Sequence, residues 1–137
     1  MSTSIFAPQL VSGTKQKDKK IWANLVGSST SLAIYHAAKN SNSLTLVITA
    51  DTPSAIRLEH EIASINEENI DLDLFPDWET LPYDNFSPHQ DIISQRLATL
   101  YRLSRSQQGI VIVPVNTLIQ RLAPKSYIEA NTLLVKQ

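Results

Sequence analysis

The sequence predicts an α/β fold with a parallel sheet in three layers. Three observations predict it. Strand-like and helix-like patterns alternate along the chain. Two of the strand-like runs, "SLTLVIT" (43–49) and "GIVIVP" (109–114), are continuously apolar, as strands covered on both faces are. A third stretch, "LVGSSTSLAIYHAAK" (25–39), runs from an apolar entry through a Gly and small hydroxyl residues into a helical pattern. Alternating β and α patterns of this kind imply a parallel sheet. Right-handed crossovers then gather the loops that follow the strands at one end of the sheet, where such folds bind ligands. The loops at Gly27, after Thr49 and at Pro114–Asn116 are expected there.

The elements follow in order. After "SLTLVIT", Thr52 can cap a helix and Pro53 suits its first position, where a missing N–H costs nothing. Ala55, Leu58, Ile62 and Ile65 recur at spacings of three and four and form the inward stripe, leaving Glu59 and Glu61 to face solvent. "IDLDLF" (70–75) alternates apolar and charged residues, which predicts a half-exposed strand. Its two Asp residues place it at a sheet edge, because carboxylates under a helix layer are costly. In "SPHQDIISQRLATLYRL", Ser87 can cap, Pro88 opens the first turn and Gln90 completes a capping-box spacing. Ile93, Leu97, Leu100 and Tyr101 form the expected buried stripe. Arg96, Arg102 and Arg105 lie off it, the last two near the C-terminal end, where the dipole favours cations. "VNTLIQRL" predicts a short helix ending before Pro124, and "NTLLVK" (131–136) a last short strand.

Composition narrows the function classes. The chain has 137 residues, 42% of them hydrophobic, which suits one domain with a real core. There is no Cys, so disulfides, thiolate metal sites and cysteine nucleophiles are excluded. No run reaches the ~20 apolar residues needed to span a bilayer. The N-terminus carries its charges after its weak apolar part, opposite to a secretory signal, so a cytoplasmic protein without membrane association is expected. The net charge of −1 leaves no basic footprint for nucleic acid. The local Lys15, Lys17, Lys19 and Lys20 cluster reads as a solvated terminal segment.

The stretch at Gly27 has the outline of a phosphate-binding loop. The working frame is G-x-x-x-x-G-K-[ST]. Laid from Gly27, it puts Leu32 at the second Gly, Ala33 at the Lys and Ile34 at the Ser/Thr. A side chain at 32 crowds the backbone approach to phosphate. Ala33 offers no cation to the β- and γ-phosphates, and Ile34 no hydroxyl to Mg²⁺. Sliding the frame does not help, because Lys39 lies well inside the helix. A degenerate loop, without catalytic or metal residues, is the reading.

Other constellations are weaker. His36, His60 and His89 are too scattered for a zinc motif. Asp77, Glu79 and Asp84 cluster near one loop, but Trp78, Pro82, Tyr83 and Phe86 among them point to an ordered, packed turn rather than acid–base chemistry. Trp78 is read as core. Tyr83 and Phe86 stay open, as core or as interdomain contacts.

The runs "FPDWETLPYDNFSPHQDIISQRLATLYRL" (75–103) and "GIVIVPVNTLIQRLAPKSY" (109–127) closely resemble the N-terminal region of the bacterial transcription-repair coupling factors, the Mfd family. The resemblance extends over roughly residues 20–137. It implies a RecA-like, P-loop-like domain similar to domain 1a of the repair protein UvrB, with a decayed nucleotide site. It further implies a flexible segment at 1–19, the UvrB-like domain 1a at 20–130, and at 131–137 the start of a linker or strand into a second domain. Members of the family are ATP- and Mg²⁺-dependent translocases on double-stranded DNA that displace stalled RNA polymerase and recruit UvrA. Their motor domains do not fit in this length, so the chain is expected to be a non-enzymatic segment of a longer protein, binding no cofactor itself and contacting the rest of that polypeptide. The alternative is an autonomous nucleotide- or nucleic-acid-binding module.

Overall fold

The computed structural model describes residues 21–41, 43–80 and 88–131. In chain order they form α1 (Ser29–Lys39), β1 (Leu44–Thr49), α2 (Thr52–Ile65), β2 (Leu72–Leu74), α3 (Gln90–Leu103), β3 (Gly109–Pro114), α4 (Val115–Leu118) and α5 (Lys125–Asn131). The three strands make an all-parallel sheet in the order β1-β3-β2. Leu44 to Thr49 lie opposite Gly109 to Pro114, and Leu72 to Leu74 opposite Ile110 to Ile112. β3 is therefore central, and all six of its residues are buried, as its unbroken apolar run predicts.

Alternate residues of β3 feed two cores, giving the expected three layers. Ile110 and Ile112 pack with Tyr35 and Ala38 of α1 and Ala55, Leu58 and Ile62 of α2. Val111 and Val113 face the other way and pack with Phe75, Leu100 and Leu103, beneath α3. Gly109 opens β3 at φ +143°, and a Cβ there would stand 3.0 Å from the Asp71 carbonyl oxygen. That oxygen accepts the Ile110 N–H at 2.8 Å, so the missing side chain is what lets β2 and β3 close.

β2 is an edge strand, as its alternating Asp residues predict, and Arg102 of α3 pairs with Asp73. On α2 the inward stripe is Ala55, Leu58 and Ile62, with Ile65 packed at its rim.

Several expectations are corrected. The apolar entry at 21–26 is not a strand. Asn24 takes φ +61° in its middle, which breaks an extended path, and no described strand pairs with it. β1 is not covered on both faces. It is the other edge of the sheet, and Leu44, Leu46 and Ile48 stand exposed on the α3 side, because α3 lies over β2 and β3 only. Asp51, not Thr52, caps α2. Its carboxylate accepts the Ser54 N–H at 2.8 Å, and Pro53 sits at the second helical position. α3 begins at Gln90 with His89 at its cap, so Pro88 precedes the helix; Ser87 lies outside the described residues. Residue 131 closes a helix instead of opening a strand, and 132–137 lie outside the description.

Candidate functional site: the Gly27 loop and the Asp77 turn

Gly27 takes φ +59°, a left-handed turn that favours glycine, and an added Cβ would meet nothing within 4 Å. The turn closes when the Ser29 N–H and hydroxyl both donate to the Val26 carbonyl, at 3.3 and 2.7 Å. α1 then starts without any side-chain cap. Of the positions in the phosphate-loop frame, Ala33 is buried and Leu32 and Ile34 are half-buried. Ile34 packs at the rim of the α1/α2 core. The side chains at two of the three diagnostic positions are thus spent on packing.

A hollow of about 230 Å³ lies beside the loop. Gly27, Ser31, Ile34, Thr49, Ser54 and Glu61 are on its wall. The loops at Gly27 and after Thr49 therefore do meet, as the topology predicts. The Pro114–Asn116 turn does not line this hollow. The Ser31 hydroxyl, fully buried, donates to the Glu61 carboxylate, and Arg57 Nε stands 3.7 Å from the same group. Glu61 was expected to face solvent; instead it crosses from α2 to the start of α1. A phosphate entering here meets a carboxylate, and its neighbouring cation, Arg57, is largely exposed and already engaged. Hydrogen bonds from Ser54, side chain and backbone, hold the Asp51 carboxyl below the usual carboxylate range, so a second anion flanks the opening of α2.

The second polar cluster follows β2. Phe75 extends the β2–β3 pairing by donating its N–H to Ile112 at 2.9 Å. The chain then turns through Pro76, Asp77 and Trp78 to Glu79, which is exposed at φ +58°. Asp77 gathers three donors: the Trp78 N–H at 2.8 Å, Asn116 Nδ2 at 2.6 Å and Gln120 Nε2 at 2.9 Å. Its carboxylate ties this turn to α4 and to Gln120, two residues beyond it. Arg96, expected off the buried face of α3, is 3% exposed. Its guanidinium carbon lies 4.3 Å from the Phe75 ring centre and 4.2 Å from that of Trp78, and it donates to the Pro76 carbonyl. Burial pushes its pKa down, and the Asp77 charge opposes that shift. It remains protonated, since arginine does so throughout the accessible range. α3 is consequently rotated from the expected stripe: Arg96 and Thr99 face inward, and Leu97 is at the surface. The signal for Arg96 was available, since two aromatics precede it in an acidic turn, but helical periodicity alone favours Leu97.

Trp78, read from the sequence as core, is only half-buried and lies against Arg96 at the edge of the core. Asp84, Tyr83 and Phe86 lie outside the described residues, as do Lys15, Lys17, Lys19 and Lys20. His36 edges onto Tyr35, and His89 sits at the α3 cap. Among the described residues no group of three His, Asp or Glu is placed to hold a metal, and no helix is long and apolar enough to cross a membrane.

No protein-family model matches the chain. Among curated proteins, it is 44% identical over 137 residues, its whole length, to the transcription-repair-coupling factor of Haemophilus influenzae. It is 41% identical over 123 residues, 90% of its length, to that of Escherichia coli. The Mycobacterium tuberculosis protein of the same name is 32% identical over 87 residues, 58% of the chain. The chain spans only 12%, 10% and 7% of these three relatives. Similarity that runs from the first residue to the last, through both the Gly27 loop and the Asp77 turn, assigns this chain to the transcription-repair coupling factor family.

Proposed function

We propose that the chain serves as a UvrB-like, non-catalytic scaffold segment from the N-terminal part of a transcription-repair coupling factor. In that setting the whole protein is an ATP-dependent double-stranded DNA translocase. It displaces stalled RNA polymerase and recruits UvrA for nucleotide excision repair. ATP and Mg²⁺ belong to motor domains elsewhere in the polypeptide. The observation that carries this reading is the end-to-end identity of 44% with a protein of that name. The loop chemistry supports the non-catalytic part. Leu32, Ala33 and Ile34 replace the groups that handle phosphate and Mg²⁺, and Glu61 occupies the adjoining wall.

The hollow beside Gly27 favours one rival, an autonomous nucleotide-binding module. Isothermal titration with ATP and Mg²⁺ separates the two. No heat of binding is expected at micromolar protein, and a micromolar Kd overturns the scaffold reading. A nucleic-acid module is disfavoured by the net charge of −1, and a salt-dependent mobility shift with duplex DNA would revive it. For the partner, no UvrA is expected to be pulled down by this chain alone, and UvrA capture by a version extended along the relatives' sequence is. Capture by the 137-residue chain itself would place the UvrA surface here.

A further inference from the structure

At the C-terminal end of the sheet lies a short element that its own packing holds poorly. α4 leaves β3 directly and packs on β3 and β1. Of its four residues only Thr117 is buried. Val115 and Leu118 are 44% and 43% exposed, and Ile119, the next residue, is 81% exposed. A single helical turn gains little from its own backbone bonds, because nucleation is the unfavourable part of helix formation. α4 also lacks a side-chain cap. What it does bury works against it. The Thr117 hydroxyl and Gln120 Oε1 are both buried, and among the described residues neither has a hydrogen-bond partner. Local opening would give both to water. Little apolar burial and polar atoms that solvent would satisfy mark a segment that opens before the rest of the fold.

The carboxylate of Asp77 fastens this segment. It accepts from Asn116 Nδ2 at 2.6 Å and from Gln120 Nε2 at 2.9 Å. Bonds to an ionised acceptor are roughly twice as strong as neutral ones. The two ends of the fastening are unequal. Asp77 belongs to a turn that is itself anchored: the Phe75 N–H donates to the Ile112 carbonyl, and the buried Arg96 stacks on Phe75 and Trp78 and donates to the Pro76 carbonyl. The segment at the other end, "VNTLIQ" (115–120), has no charged or aromatic side chain of its own. Breaking the link therefore frees α4 and not the turn. We infer that residues 115–120 form a strap across the C-terminal ends of β1 and β3, hinged at Pro114 and held shut by Asp77 more than by burial. The strap opens as a unit while the sheet and α2 stay folded, and opening uncovers the strand ends beneath it. The inference is independent of the function proposed above.

Native-state hydrogen exchange, resolved by residue with NMR, tests it. The Ile119 and Gln120 N–H groups are the probes, because they donate within the strap, to the Val115 and Thr117 carbonyls at 3.3 and 3.1 Å. Ile112 of β3 and Leu58 of α2, both buried, are the controls. The probes should exchange faster than the controls and with almost no dependence on dilute urea, since local opening exposes little surface. Asp77→Ala should speed the probes by about tenfold or more, the loss of bonds to a charged acceptor. Asn116→Ala, at an exposed position, should speed them less, because the Gln120 bond remains. Thr117→Val removes an orphan hydroxyl at nearly constant shape and should slow them. Ile62→Val, in the core beneath α1 and α2, should speed the controls and leave the probes unchanged, because its contacts persist when the strap opens. Probes as slow and as urea-dependent as Ile112, probes that follow Ile62→Val, or probes unmoved by both Asn116→Ala and Thr117→Val would each overturn the inference.

Discussion

The Gly27 loop and the Phe75–Glu79 turn sit at the same, C-terminal end of the parallel sheet, and they use polar residues in opposite ways. The Gly27 loop is rich in hydroxyls, but only Ser31 among them reaches across to another element, where it meets Glu61. The Phe75–Glu79 turn has fewer polar groups, and nearly all of them are spent. Asp77 binds three donors, and Arg96 covers two rings and the Pro76 carbonyl. The difference teaches that a loop with the outline of a ligand site can be nearly idle structurally, while an acidic turn that suggests acid–base chemistry can act as a latch. Buried, fully connected polar groups carry large penalties when one member is lost, and half-exposed ones are rehydrated at little cost.

That contrast yields a graded series in urea denaturation. Arg96→Ala should cost the most, about 2–4 kcal/mol, because it removes a buried stacked side chain and orphans the Pro76 carbonyl. Arg96→Met should recover part of that loss by restoring the packed volume but not the hydrogen bond. Asp77→Ala should follow at about 2 kcal/mol, leaving Asn116 and Gln120 without their acceptor. Gly27→Ala should cost about 1 kcal/mol, from backbone strain alone, since nothing crowds a Cβ there. Ser31→Ala should cost roughly 0.5–1 kcal/mol, because Glu61 turns to water. If Ser31→Ala proved as damaging as Arg96→Ala, the contrast between latch and idle loop would fail.

The smallest effect concerns pH. The Asp51 carboxyl has its folded-state pKa held below the unfolded value by its Ser54 hydrogen bonds. A depressed acid contributes stability that is complete above the unfolded pKa, ~3.9, and is lost as pH falls through the folded value. Asp51→Asn should therefore lose that contribution at neutrality and flatten the acid limb of the stability profile, the two proteins converging as pH falls through the folded pKa of Asp51. Lys39 provides the opposite sign. Its hydrogen bond and charge pairing with Glu68 raise its pKa, so its contribution is present below the unfolded value and fades only above it, at strongly alkaline pH. Thermal melts across both limbs, with Asp51→Asn and Lys39→Met, would separate the two.

Much of the fold was legible because periodicity reports burial. The Ala55–Leu58–Ile62 stripe, the full burial of "GIVIVP" and the edge position of "IDLDLF" all follow from which residues tolerate water. Where periodicity misled, a neighbour had overridden it. Helical spacing favours Leu97 over Arg96, until two aromatic rings and a carbonyl provide a site for a guanidinium. Likewise "SLTLVIT" has the composition of a covered strand, yet cover depends on how far α3 extends, which no residue in that strand encodes. At the candidate site, the replacement of the phosphate-handling groups by Leu32, Ala33 and Ile34 was plain from the letters. The Ser31–Glu61 contact was not, because 30 residues separate its partners.

By itself the sequence determined the α/β class, the burial of the "GIVIVP" strand, the family and the absence of a cation and a hydroxyl where a phosphate loop needs them. These are local properties: the side-chain chemistry at a position and the period at which apolar residues recur. Only the tertiary structure decided that Asp77 is a latch, that Glu61 closes across to Ser31, and that β1 lies open along one edge. Each of those depends on which distant surfaces come within a few ångströms of one another, and that is set by how the helices settle on the sheet.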